Sequence, residues 1–274
     1  MPDAPNILYL VLDSTRFDSY CLAHTPNFDK IGQPVARQAL GGATDQVFFS
    51  LFTGRLPGPE ILQIPELGLG GDTIGALRRS MEHADSVPLP QLLQDKGYYT
   101  WLLAAAPPIH RSPVLQEGFG SFGPYQWCEE HARLFELQPV EPWFVVMNWF
   151  EAHQPYRNQA GEGPDLDEYK SFWAERKKLR KAWQGAPYEP INRQAEPGEL
   201  DAKTAAYLRE LHRWQVKQVE HMDSVFGTML PHIPKNTRVW IMADHGQCFG
   251  EFGHHGHDLN LPPIMTIPYV TGQI

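Results

Sequence analysis

Cysteine is scarce in this chain, long apolar runs are missing and there is no excess of positive charge; each shortage removes a class of protein. The 274 residues hold three cysteines, Cys21, Cys128 and Cys248, which are far apart, odd in number and without a CxxC pair. They form neither a disulfide framework nor a cysteine zinc cluster, so a reducing, cytoplasmic setting is expected. No apolar stretch is long enough to cross a bilayer. The N-terminus passes from Met1 through a few polar residues and prolines into Ile7–Leu12 without a basic leader, so no membrane association is expected. The formal charge of -9 comes with no basic run or aromatic-basic stripe, which argues against nucleic acid as a partner. An anionic ligand would have to be held by local charge, with metal ions as the obvious source. Repeats and low-complexity tracts are also missing. The length suits one three-layer domain, residues 1–274, better than two.

What is present is a series of short buried strands that end in chemistry. Ile7–Leu12 is continuously apolar, as in a parallel strand covered on both faces, and Asp13-Ser14-Thr15-Arg16 follows it. Trp143–Phe150 is a second such run and leads into Glu151 and His153. Val239–Met242 is a third; it stops at Ala243 and delivers Asp244 and His245, followed by Gly246, Gly250, Gly253, Gly256 and the histidines 254, 255 and 257. In open α/β sheets, ligands bind beyond the carboxyl ends of the strands, so these carboxylates and imidazoles fall on one edge if the strands share a sheet. Taken singly, each has an ordinary reading: Asp13 as a helix N-cap, His153 as a satisfied structural residue, Asp244-His245 as a surface loop.

The intervening text alternates helix and strand. Thr25-Pro26-Asn27 opens a short helix through Phe28 and Ile31. Gly41–Gln46 is a flexible turn before an apolar helix, Val47–Thr53, closed by Gly54, which leaves Thr44 near a helix N-terminus. Thr44 there is either an ordinary cap or part of an anion-holding end. Pro90–Lys96 reads as a helix stopped by Gly97, and Tyr98–Leu103 as the next strand. Lys203–Leu230 is the clearest helix, with Leu208, Leu211, Val219, Met222, Phe226 and Met229 on one face. Ile264–Val270 is expected to be a last short strand. Residues 57–81, with a short helix near Ile74–Met81, and 157–197 read as long loops; the second is either a lid or a solvated excursion.

The order of these pieces resembles the alkaline phosphatase superfamily, most closely its sulfatase-like branch. The matching segments are Asn6–Asp18, Thr25–Asp29, Ser50–Pro57, Leu92–Thr100, His153–Tyr156, Met222–Gly227 and Ala243–Gly246, spread over nearly the whole chain. The resemblance implies a three-layer α/β/α sandwich with a mostly parallel central sheet, metal ligands at its strand ends, and no full C-terminal subdomain. It places the nucleophile at Thr44, where sulfatases carry a Cys or Ser that becomes formylglycine; Thr44-Asp45-Gln46-Val47-Phe48 excludes that modification. A threonine there looks like the phosphodiesterase and phosphoethanolamine transferase branches. By that analogy Asp13, Thr44, Asp244 and His245 hold one metal, while His153 and His257, with His255 in reserve, hold a second metal or contact the substrate; His153 or His257 would protonate the leaving oxygen. Ser14 stands where sulfatases have a second Asp, and the histidines add nitrogen ligands. One or two divalent ions, zinc or manganese before calcium or magnesium, are therefore expected. The implied activity is metal-dependent hydrolysis of a small anionic ester, a phosphate mono- or diester before a sulfate or phosphonate, with group transfer or an inactive metal-binding regulator as alternatives.

Overall fold

A computed structural model describes residues 4–56, 87–123, 126–136, 139–156, 170, 202–253, 255–257 and 260–274. The loop anticipated at 57–81 lies outside them, as do His254 and all of 157–197 except Lys170. A seven-stranded sheet forms the centre. Its strands are β1 (Asn6–Leu12), β2 (Val35–Gln38), β3 (Tyr99–Ala104), β4 (Ser121–Phe122), β5 (Trp143–Trp149), β6 (Thr237–Met242) and β9 (Thr266–Gln273), in spatial order β2-β9-β6-β1-β5-β3-β4. A separate two-stranded ribbon pairs β7 (Cys248–Phe249) with β8 (His255–Gly256). The five strands from β6 to β4 are parallel, and the β2 and β9 edge is antiparallel.

The helices are α1 (Phe17–Leu22), α2 (Thr44–Thr53), α3 (Leu89–Asp95), α4 (Pro107–Arg111), α5 (Pro113–Gln116), α6 (Cys128–Phe135), α7 (Ala202–Met229) and α8 (Pro262–Met265), with a 3-10 turn at Phe28–Lys30. The final strand starts later and runs further than the pattern indicated. Pro262 and Pro263 initiate a helical turn that absorbs Ile264 and Met265, so pairing with β6 begins only beyond it. Helix α2 also starts earlier than Val47, at Thr44 itself, and ends at Gly54 in the left-handed conformation with φ 68°.

The period of two along the strands decides which layer each side chain joins. Leu8, Leu10 and Leu12, with Trp143, Val145, Met147, Trp149, Val239 and Ile241, pack on one face against the apolar stripe of α7 and against α6. Val11, Phe144 and Val146 pack on the other face, under Phe48, Phe49 and Phe52 of α2 and residues from α4 and α5. Every residue of β5 is buried. At about 1.5–3 kcal/mol for each large apolar side chain removed from water, these two layers dominate the stability of the sheet. Far-separated motifs are also stitched together: Asp223 of α7 accepts the backbone N–H groups of Asn27 (3.0 Å) and Phe28 (2.7 Å), and the Asn27 amide as well.

The register matters most for function. Leu12 is level with Trp149 and Val11 with Met242, so β1, β5 and β6 end together and release Asp13, Glu151 and Asp244 on one edge.

Candidate metal centre

Asp13 leaves β1 fully buried, and the chain turns at once. Ser14 has φ 58°, a left-handed conformation that costs a non-glycine residue on the order of 1–3 kcal/mol. The turn aims its backbone N–H at Asp244 Oδ1 (3.0 Å) and its hydroxyl at Asp13 Oδ1 (3.1 Å). Ser14 therefore orients two carboxylates. Asn148, a polar residue inside the otherwise apolar β5, donates to Asp13 Oδ2 at 3.1 Å while its own Oδ1 accepts Ala106 N–H at 2.7 Å.

After β6, Asp244 Oδ1 also accepts the His245 N–H (2.8 Å). His245 Nδ1 faces the Gly246 carbonyl at 2.8 Å; a carbonyl only accepts, so Nδ1 carries the proton and Nε2 is left as a lone-pair donor directed at the site. Gly246 is obligatory here, because a Cβ would collide with the Pro263 carbonyl oxygen and its N–H donates to Ile264 O at 2.7 Å.

Thr44, the first residue of α2, closes the group. Its Oγ1 lies 3.3 Å from His245 Nε2 and 3.5 Å from Asp13 Oδ2, and His245 Nε2 lies 3.6 Å from Asp244 Oδ2. The ligand atoms of Asp13, Asp244 and His245 all fall within 4.8 Å of one another. Burial, and next the neighbouring Asp244, push the Asp13 carboxyl well above its ordinary range. Asp244 Oδ2 is buried with no hydrogen-bond partner among the described residues. An orphaned carboxylate oxygen beside a second buried carboxylate and an imidazole lone pair fits a divalent cation, and the mixed oxygen and nitrogen set fits zinc or manganese.

His153 and His257 form an adjoining corner. Their Nε2 atoms are 3.2 Å apart, His153 stacks on Phe150 with ring centres 4.2 Å apart, and the rings of His257 and His245 are centred 4.5 Å apart. The structure thus gathers Asp13, Thr44, Asp244 and His245 at one point and sets His153 and His257 beside it. The reserve residue, His255, sits on β8.

Several residues of this region were not anticipated. Gln215 of α7 is fully buried: its Nε2 donates to Ser14 O (2.9 Å) and Ala152 O (3.1 Å), and its Oε1 accepts from Ser19 Oγ (2.7 Å). The signal was legible, because Gln215 falls between Leu211 and Val219 on the apolar stripe. Asn148 was marked in the same way, as the one polar residue of an apolar strand. Arg16 is also buried, but its guanidinium is committed to Asp18 (2.5 Å) and Glu251 (2.5 Å) and lies over the Phe249 ring.

No family model and no curated protein matches the sequence. Solved structures do, through the fold. The sulfatase candidate yidJ from Bacteroides fragilis superposes with a TM-score of 0.60 at 16% identity over 98% of this chain and 68% of its own. The C-terminal periplasmic domain of EptC from Escherichia coli, solved in complex with zinc, gives 0.59 at 12% identity over 99% and 73%. The phosphonate monoester hydrolase of Agrobacterium radiobacter gives 0.60 at 14% over 98% and 68%. The chain shares the α/β sandwich fold of these three proteins.

Proposed function

We propose that the protein is a metal-dependent hydrolase of a small anionic ester, a phosphate mono- or diester before a phosphonate or sulfate, with Thr44 as nucleophile. The observation that carries this reading is the placement of one hydroxyl, Thr44 Oγ1, within 3.5 Å of both His245 Nε2 and Asp13 Oδ2, next to the unpartnered Asp244 Oδ2. Asp13, Thr44, Asp244 and His245 would hold one divalent cation, zinc or manganese, and His153 with His257 would hold a second or bind the substrate's oxygens. Support comes from neighbours of the same fold that act on phosphonate esters or bind zinc. The three cysteines are free, which fits a cytoplasmic setting.

A divalent cation bound here would lower the hydroxyl's pKa and offset charge on the transferring oxygens. Thr44 gives its hydroxyl proton to solvent, Oγ1 attacks phosphorus in line as the bond to the ester oxygen breaks, and water then hydrolyses the phosphothreonine and restores the hydroxyl. Ser14 and Asn148 keep the two carboxylates from rotating, so the hydroxyl is held in a fixed direction. The N-terminal end of α2 contributes partial positive charge where the oxygens gather. If the pair holds no metal, His153 or His257 in its imidazolium form supplies a proton to the leaving oxygen from Nε2; the neutral His153 keeps its proton on Nδ1, against the Gln154 carbonyl.

The test is metal content by mass spectrometry, then turnover of p-nitrophenyl phosphate, bis-phosphate, phosphonate and sulfate with wild type and Thr44→Ala. Turnover of a phosphorus ester by wild type and its loss in the variant, with metal retained, is expected. Near wild-type activity in Thr44→Ala removes Thr44 from the role. Metal present with every ester inert favours a binding protein, and product formed only when an alcohol is added favours group transfer.

A further inference from the structure

Near the β5 end lies a second gathering of ligand-type side chains that the proposed reaction does not use. Cys128 and Glu129 are the first two residues of α6, and His221 projects from α7. Cys128 Sγ is 3.6 Å from His221 Nε2 and 3.5 Å from Glu129 Oε2, and His221 Nε2 is 3.2 Å from Glu129 Oε1. A tetrahedral zinc with bonds of roughly 2.0–2.3 Å sets its ligand atoms about 3.3–3.7 Å apart, close to the spacing found here.

A buried carboxylate stands behind the thiol. Glu151 is fully buried and stands beside the Cys128 thiol; its Oε1 accepts the Cys128 N–H at 2.7 Å, while its Oε2 has no hydrogen-bond partner among the described residues. Helix capping accounts for Oε1 alone. The second oxygen is a buried acceptor behind the thiol, outside the three ligand atoms that lie within 4.8 Å of one another.

We propose that Cys128, Glu129 and His221, whose ligand atoms lie within 4.8 Å of one another, form a zinc-type site that fastens α6 to α7 behind the sheet. Sulfur and nitrogen donors select a softer ion than the carboxylate-rich centre at Asp13 and Asp244; three protein ligands hold it, and water would take the fourth position. Because two ligands come from α6 and one from α7, its role is mechanical. It ties the segment before β5 to the long helix, and Glu151 carries that tie to the strand end from which His153 emerges.

The experiment is titration of the metal-free full chain with cobalt(II), followed by absorption. No cysteine stands among the residues assigned to the other centre, so a thiolate-to-cobalt charge-transfer band reports this site. Wild type and Asp244→Asn should both show the band, Cys128→Ser should lose it, and His221→Gln should need more than about tenfold higher cobalt to reach it. His221 is partly exposed, so its variant remains informative if Cys128→Ser does not fold. A wild type without the band, a band that persists unchanged in both Cys128→Ser and His221→Gln, or a band lost in Asp244→Asn would overturn the proposal.

Discussion

The two corners of the candidate centre are built differently. Asp13, Asp244 and His245 sit directly on the ends of adjacent central strands, fully buried, with their backbones fixed by the sheet. His153 and His257 stand on the loops beyond, half-buried, and meet through one contact between ring nitrogens. The first corner is rigid before anything binds; the second depends on two loops keeping station. Rigid placement suits a nucleophile and its ligands, for which a small misplacement is costly. Looser placement suits groups that meet substrates and hand over a proton.

This contrast orders the expected effects of substitution. Thr44→Ala should lower kcat by at least about 10³-fold with metal content unchanged, the scale of losing a nucleophile. Asp244→Asn should weaken metal binding by more than about 10²-fold, measured by equilibrium dialysis. The same variant should make the metal-free protein more stable to urea, because it removes a charge from beside Asp13. A metal-free Asp244→Asn protein less stable than wild type would show that the corner is not poised for a cation. His153→Gln should cost about 10²-fold in kcat/KM at full metal occupancy. A loss as large as that of Thr44→Ala would erase the distinction between the corners. Gln215→Leu should cost about 2 kcal/mol of stability by leaving the Ser14 and Ala152 carbonyls unpaired, and should reduce activity because both corners shift.

The smallest effect is a pH slope. Burial and then Arg16 lower the His212 pKa, so the fold favours the uncharged imidazole. The unfolded chain takes up the proton first, at about pH 6.5. The His212 contribution to stability is thus whole above that pH and lost as pH falls toward the lowered folded value. His212→Gln should flatten this part of the urea-midpoint profile between neutral and mildly acidic pH while leaving metal content unchanged.

Strand-end chemistry was readable because two regularities coincide at Asp13 and at Asp244-His245: an apolar run long enough to be a buried strand, and a charged residue where it stops. Lys203–Leu230 was equally plain, since its stripe is continuous. The short edge strand β2 was not readable, because Val35–Gln38 is exposed throughout and carries no alternation. Nor were α4 and α5, whose prolines break any period. The proposed nucleophile came from resemblance alone: a threonine at a helix start is ordinary in composition, and only the fold brings its hydroxyl to His245. The pairing of His153 with His257 depends on loop geometry that no local pattern encodes.

One buried amide has a wider consequence. Gln215 is bonded at once to the carbonyl that follows Asp13 and to the carbonyl that precedes His153. Thermal opening of either loop must break the same side chain's bonds, so the two loops belong to one cooperative unit. In hydrogen exchange the amides near Ser14 and His153 should then open at a common rate in wild type and at separate rates in Gln215→Leu. The long helix therefore does more than cover the sheet: it synchronises the rigid corner with the loose one.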